Sequence, residues 1–242
     1  QKQNKRLSGE VCCGGCVRHA LRRLERLSVD SLWPGACGRW RPPGWAGMLA
    51  AFADLPDNGP TMALKATIFK AELNISDMDR GYYASHPLTI ARHPSENDER
   101  MMLRVAAFAL HADDRLSFTK GLCADDEPEL WRKNYADEIE LWIDLGEPDE
   151  KRLRKACGRA EQVWLYTYGG RSSEVWWQNM QGKTSRFSNL TIVNIAPETL
   201  QELAALTERS MQLQISIQDG QMWVSCDERS VLVEGEYWQR AE

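Results

Sequence analysis

Among residues 62–242, three carboxylates and a run of bases have the most to offer chemically. Glu129 lies in "EPELW" and Asp144 in "WIDLG", fifteen residues later, while Glu99 stands upstream in "NDERMM". Carboxylate oxygens are the donors that hard divalent cations take. Each acid also has a plainer role. Glu129 suits a solvated position beside a turn, Asp144 the cap of a following helix, and Glu99 the first turn of a helix, where acids are favoured. The bases Lys151, Arg152, Arg154, Lys155 and Arg159 form a local basic patch that could steer phosphates, although Asp149 and Glu150 precede it and an ordinary exposed helix face is the favoured reading. Trp176 and Trp177, with Arg171, Lys183 and Arg186 nearby, have the make-up of a base-stacking surface. Two adjacent Trp on a strand are more often one buried and one half-buried. His86 and His93 are read as satisfying local hydrogen bonds.

The elements that must position these residues follow from periodicity. Ala66–Asn74 and Tyr82–Ile90 read as two strands joined by a turn at "SDMDRG". Ser95, with Asp98 three residues on, resembles a capping box opening a helix that runs to about His111. Leu116–Cys123, Pro128–Arg132 and Glu138–Leu145 read as three strands. The last alternates, with Ile139, Leu141, Ile143 and Leu145 facing a core and Glu138, Glu140, Trp142 and Asp144 on a face left for chemistry. Pro148 and the acids behind it start a second helix, 148–159. Gln162–Tyr168, Glu174–Trp177 and Leu190–Ile195 read as strands and Pro197 as the start of a third helix. The chain finishes with a hairpin around Asp219-Gly220 and the stretch "RSVLVEGEYW". The fold class is α+β.

The chain has 242 residues and a formal net charge of −5, and its two parts differ in sign. Residues 1–61 carry nine Lys/Arg against five Asp/Glu, and residues 62–242 carry twenty-one against thirty. Such asymmetry marks a boundary. So acidic a domain does not coat nucleic acid through bulk charge, which needs clustered bases; any such contact must be local. The chain has no stretch of the roughly 20 apolar residues that a membrane-spanning helix needs, and no secretory signal pattern, so the expected location is the cytoplasm. Cys123, Cys157 and Cys226 are scattered singly, as reduced thiols are. In residues 1–61, Val17, Leu21, Leu24 and Leu27 have helical spacing. Cys12, Cys13, Cys16 and His19 are ligand types that zinc accepts, but only Cys37 remains for a second pair. This segment is therefore expected to be an N-terminal extension, irregular or non-native upstream sequence, with the functional domain at 62–242.

The blocks "MALKATIFKAEL", "DRGYYASHPLTIARHPSENDERMMLRVAAFAL", "EPELW", "IELWIDLGEPDEKRLRKACGRA" and "VWLYTYG" resemble those of the YaeQ family, and the likeness extends over residues 62–238. That family is regarded as nuclease-like. The resemblance implies a restriction-endonuclease-like, or PD-(D/E)xK, αβββαβ core with added antiparallel strands, which the order of elements above permits. It further implies that Glu129 and Asp144 hold Mg²⁺ or Mn²⁺, with Glu99 as an auxiliary acid, in a metal-dependent phosphodiesterase acting on nucleic acid. The lysine expected two residues after the second acid is replaced by Gly146, so Lys151 or Lys155 would have to supply the catalytic cation. The alternative is a nuclease fold that keeps a binding or regulatory role without cleavage. The two readings part on whether the three carboxylates converge on one ion.

Overall fold

The chain divides into two units, residues 1–61 and 62–242, and the computed structural model describes residues 66–120 and 126–241. The expectations for Val17–Leu27, for Cys12, Cys13, Cys16, His19 and Cys37, and for Cys123 lie outside the described residues.

The second unit opens with two eleven-residue strands, β1 (Thr67–Asp77) and β2 (Tyr82–Arg92), in an antiparallel pair. Helix α1 (Asp98–Leu110) follows. Its N-cap is Asn97, two residues beyond the expected Ser95; the Asn97 side chain accepts from the Arg100 backbone N–H. Strands β3 (Leu116–Phe118), β4 (Leu130–Lys133) and β5 (Ile139–Leu145) form an antiparallel meander. Helix α2 (Glu150–Cys157), capped by Asp149, leads into β6 (Ala160–Thr167), which pairs parallel with β5.

Residues 171–184 are not a strand. They form helix α3 (Arg171–Thr184). Val175, Trp176 and Trp177 have strand propensity, but the buried positions Ser173, Met180 and Thr184 fall seven and eleven residues apart, a helical repeat that tertiary packing rewards. The positive φ angles of Gly169 and Gly170 swing the chain out of β6 into this helix. Next come β7 (Leu190–Ile195), parallel to β6, and α4 (Pro197–Ala204). The remaining strands are β8 (Ser210–Gln218), β9 (Gln221–Cys226), β10 (Arg229–Val233) and β11 (Gly235–Gln239).

Two sheets result. One has the order β10-β9-β8-β1-β2, the other β11-β7-β6-β5-β4-β3. The terminal stretch thus splits between them, β10 in the first and β11 in the second. Gly235 marks the crossing; a Cβ there would clash with Val193 Cγ1.

One core gathers Leu73 and Ile75 of β1, Leu213 and Ile215 of β8, Leu200 and Leu203 of α4, and Leu141, Ile143 and Leu145 of β5 around α1. Every residue of α1 from Met101 to Ala109 is buried, as in a helix covered on all sides. A second core, with Trp142, Leu153, Ala156, Leu165 and Met180, joins the other face of β5 and β6 to α2 and α3. The face of β5 that carries Trp142 and Asp144 is therefore covered and not open; both residues are 2% exposed. Among the described residues, no helix is long and apolar enough to cross a membrane.

Candidate functional site

Glu129 precedes β4 directly and is fixed there by its backbone N–H, which donates to Ile143 O at 2.9 Å. Its carboxylate is buried against α1. Arg100 Nη2 donates to Glu129 Oε1 at 2.5 Å, and Arg104 Nη1 lies 3.9 Å from Oε2. Arg104 also donates through Nη2 to Glu96 Oε2 at 2.9 Å and to Ala91 O at 3.2 Å. Arg100 Nη1 reaches Tyr168 Oη at 2.8 Å and Leu145 O at 3.4 Å. Two guanidiniums and two carboxylates thus share a largely buried cluster between α1 and the start of β4. Burial pushes the Glu96 carboxyl up, with the Arg104 charge opposing. For Arg100, burial works against the charge but Glu129 and Tyr168 outweigh it, leaving its pKa above the ordinary value.

Asp144 belongs to a different group. Strand alternation turns it away from Ile143 and Leu145 and toward α2. There Arg152 grips both oxygens, Nη2 to Oδ1 at 2.8 Å and Nε to Oδ2 at 3.0 Å, and Trp142 Nε1 donates to Oδ2 at 2.9 Å. Arg152 Nη2 further donates to Glu127 O at 2.9 Å. This is the two-pronged guanidinium–carboxylate geometry that gives the strongest side-chain ion pairs.

The remaining expected residues sit apart. Glu99 is half-buried on the first turn of α1 and accepts from Asn97 Nδ2 at 3.2 Å. Lys155 is exposed and pairs with Asp126. Lys151 is exposed beside a groove that Glu147, Trp176 and Lys183 also line. Glu99, Glu129 and Asp144 are not brought together on one ion: among the described residues, no three His, Cys, Asp or Glu side chains form a group that could hold a metal. The donor set as arranged does not fit a divalent cation, because guanidinium cations already hold Glu129 and Asp144.

Gly146 (φ +98°) stands where the nuclease motif would put lysine, and the place of its missing Cβ lies 3.5 Å from Arg100 Nη1 and 3.9 Å from Tyr168 Cε1. An arginine from α1 therefore stands in ordinary van der Waals contact with the place a Cβ at 146 would take. Arg100, Arg104, Glu96 and Tyr168 were not among the sequence candidates, and Arg152 was one only as part of the basic patch, not as the partner of Asp144. The signal available for three of them was the spacing of Glu96, Arg100 and Arg104 at four-residue intervals, with Arg104 set inside the apolar run of α1.

Trp176 Nε1 donates to Pro148 O at 2.9 Å, which ties α3 to the loop before α2. Trp177 stacks on Trp238, with ring centroids 5.6 Å apart. His86 Nε2 bonds Tyr82 Oη at 2.7 Å and His93 Nδ1 bonds Ser95 Oγ at 2.6 Å.

The sequence profile of the YaeQ protein family matches residues 62–235. The chain belongs to the YaeQ family. It is 50% identical over 179 residues to the "Uncharacterized protein YaeQ" of Escherichia coli (strain K12), which covers 74% of this chain and 99% of that protein. The YaeQ protein of Salmonella typhi is 46% identical with the same coverage. The crystal structure of YaeQ from Xanthomonas axonopodis pv. citri superposes with a TM-score of 0.70 at 48% identity, over 73% of this chain and 99% of that one. YaeQ from Pseudomonas syringae gives 0.70 at 35% identity, over 72% and 97%. The mixed α+β architecture, two sheets and four helices among the described residues, thus matches solved YaeQ structures.

Proposed function

We infer that this YaeQ domain is a nucleic-acid-binding module on a nuclease-like scaffold, acting without metal-dependent cleavage. The scaffold reading is supported by the order α1-β3-β4-β5-α2-β6, in which three strands meander antiparallel, the fourth lies parallel to the third, and the two helices pack against opposite faces. The observation that carries the non-hydrolytic reading is the Arg152 clamp on Asp144. Both oxygens that would ligate a cation are committed to a guanidinium, a group that stays protonated near neutrality and cannot serve as a general base.

A metal-dependent phosphodiesterase is the second reading. It draws on the positions of Glu129 and Asp144 in sequence beside the paired residues Leu130 and Ile143 of β4 and β5, and on Arg100 beside Gly146 as a cation in the lysine's stead. It requires Arg152 to release Asp144.

Titration of Mn²⁺ into the full chain, alongside incubation of single- and double-stranded DNA and RNA with Mg²⁺ or Mn²⁺, separates the two. We expect oligonucleotide binding, no cleavage product, and the same Mn²⁺ heats from the Asp144→Ala variant. Cleavage that Asp144→Ala abolishes would reverse the assignment.

A further inference from the structure

β11 is an edge strand, and a surface groove lies on each side of it. One, about 460 Å³, is lined by Trp164 and Tyr237 with Gln162 and Asn189; the other, about 310 Å³, by Trp177, Phe187 and Trp238 with Gln181. The two meet at Ser188 and Arg240, which line both. A register shift in β11 between Tyr237 and Gln239 accounts for the layout. A bulge re-aims the side chains around it, and here Tyr237 meets Trp164 while Trp238 stacks on Trp177.

Three properties of this ridge point to one class of ligand. Tyr237 is 45% exposed, so part of its ring faces solvent. The Arg240 guanidinium lies 3.8 Å from the Tyr237 ring centroid; Arg186, paired with Glu150, stands 4.9 Å from that of Phe187, which lines the other groove. Among the described residues Glu161 is the one carboxylate lining either groove, although acids outnumber bases thirty to twenty-one in residues 62–242; the exposed Glu236 of β11 stands beside them and accepts from Trp238 Nε1 at 3.0 Å. Aromatic faces beside arginines and side-chain amides suit an anionic polymer whose flat groups stack and whose backbone is negative.

We propose that the β11 ridge is a binding site for single-stranded nucleic acid, with bases stacked on Tyr237 and at the Trp177–Trp238 pair and backbone phosphate held by Arg240. This rests on the nucleic-acid-binding reading above and gives it a location, away from the Asp144 clamp.

The test is fluorescence anisotropy of labelled oligo(dT) and oligo(U) with the full chain, across a salt series, for wild type, Arg240→Ala, Arg240→Glu and Tyr237→Ala. Circular dichroism and thermal melting check that each variant is folded. Arg240 is exposed, so its variants keep the experiment decisive if Tyr237→Ala disturbs β11. We expect Tyr237→Ala to weaken binding about tenfold, as loss of one base–aromatic stack does. Arg240→Ala should reduce the log–log salt slope by about 0.7, one phosphate contact on a single strand, and Arg240→Glu should weaken binding further. Oligonucleotide binding that the Arg240 variants leave unchanged overturns the ridge and leaves the nucleic-acid reading standing. Absence of binding to single strands and duplexes alike overturns both. Binding of an uncharged maltooligosaccharide to the ridge, lost in Tyr237→Ala, with no oligonucleotide bound there, would reassign the ridge to sugars.

Discussion

At the scale of single residues, the acid before β4 and the acid within β5 are each held by an arginine on a helix. Glu129 answers to Arg100, 29 residues away, and Asp144 to Arg152, eight residues away. Removing one member of such a pair costs more than the pair contributes, because the other charge is left buried. Arg152→Ala is therefore expected to destabilise the fold by about 3 kcal/mol, the low end for a buried pair, since the Arg152 side chain is 30% exposed. The combined change Arg152→Met with Asp144→Leu should recover most of that loss. Urea midpoints of the single and double variants check both, and equal destabilisation in the two would show that the pair adds net stability. The same arrangement explains how far the site was legible. Glu129 and Asp144 announced themselves as acids on neighbouring strands, and Leu130 does face Ile143 across the ladder. What they bond to was not legible, because a side-chain partner is chosen by which helix face lies over the strand, and nothing in the local run of residues records that.

At the scale of elements, periodicity served where one face of a segment dominates. β1, β2, the alternating β5 and α2 stand where their patterns put them, and α4 begins at its proline. α3 was misread because Val175-Trp176-Trp177 is locally strand-like and the helix depends on what lies beneath it: Met180 packs into the second core while Trp176 holds Pro148. The break between β10 and β11 falls within the stretch "RSVLVEGEYW", whose local pattern does not say that its two ends join different sheets. It depends on a steric fact at Gly235, whose absent side chain leaves room for Val193 and Ile195. Gly235→Ala should force β11 off β7 and cost about 2 kcal/mol, in the range of overpacked sites. Thermal melting checks the cost, and Trp emission from the Trp177–Trp238 pair should shift in the same variant as the two rings part.

At the scale of the whole molecule, the two sheets close on a shared core, and His111 is one of the points where that closure is sensitive to acid. It caps the end of α1, bonds Tyr166 Oη at 2.7 Å and packs edge-on to Trp164. Burial lowers its pKa from 6.5 to about 3, with repulsion from Arg80 and Arg132 adding to the effect. The unfolded chain therefore binds the extra proton first. The stability this group confers is complete above about pH 6.5 and is lost as pH falls toward 3, by at most about 1.4 kcal/mol per pH unit. Glu96, pushed up by burial, acts in the opposite sense. His111→Gln should flatten the fall in unfolding free energy between pH 6.5 and 4, measured by urea titration at each pH; an unchanged slope would remove His111 from the account. A last consequence belongs to the parallel pairing of β1 with β8, which joins Lys70–Asp77 to Ser210–Ile217. During synthesis the β1–β2 hairpin emerges early, but its third strand leaves the ribosome about 130 residues later, a delay on the order of ten seconds at ordinary translation rates. Throughout that interval the β1 edge and the apolar face of Leu73 and Ile75 lack the strand that covers them in the finished fold, which is the kind of exposure that favours aggregation during synthesis.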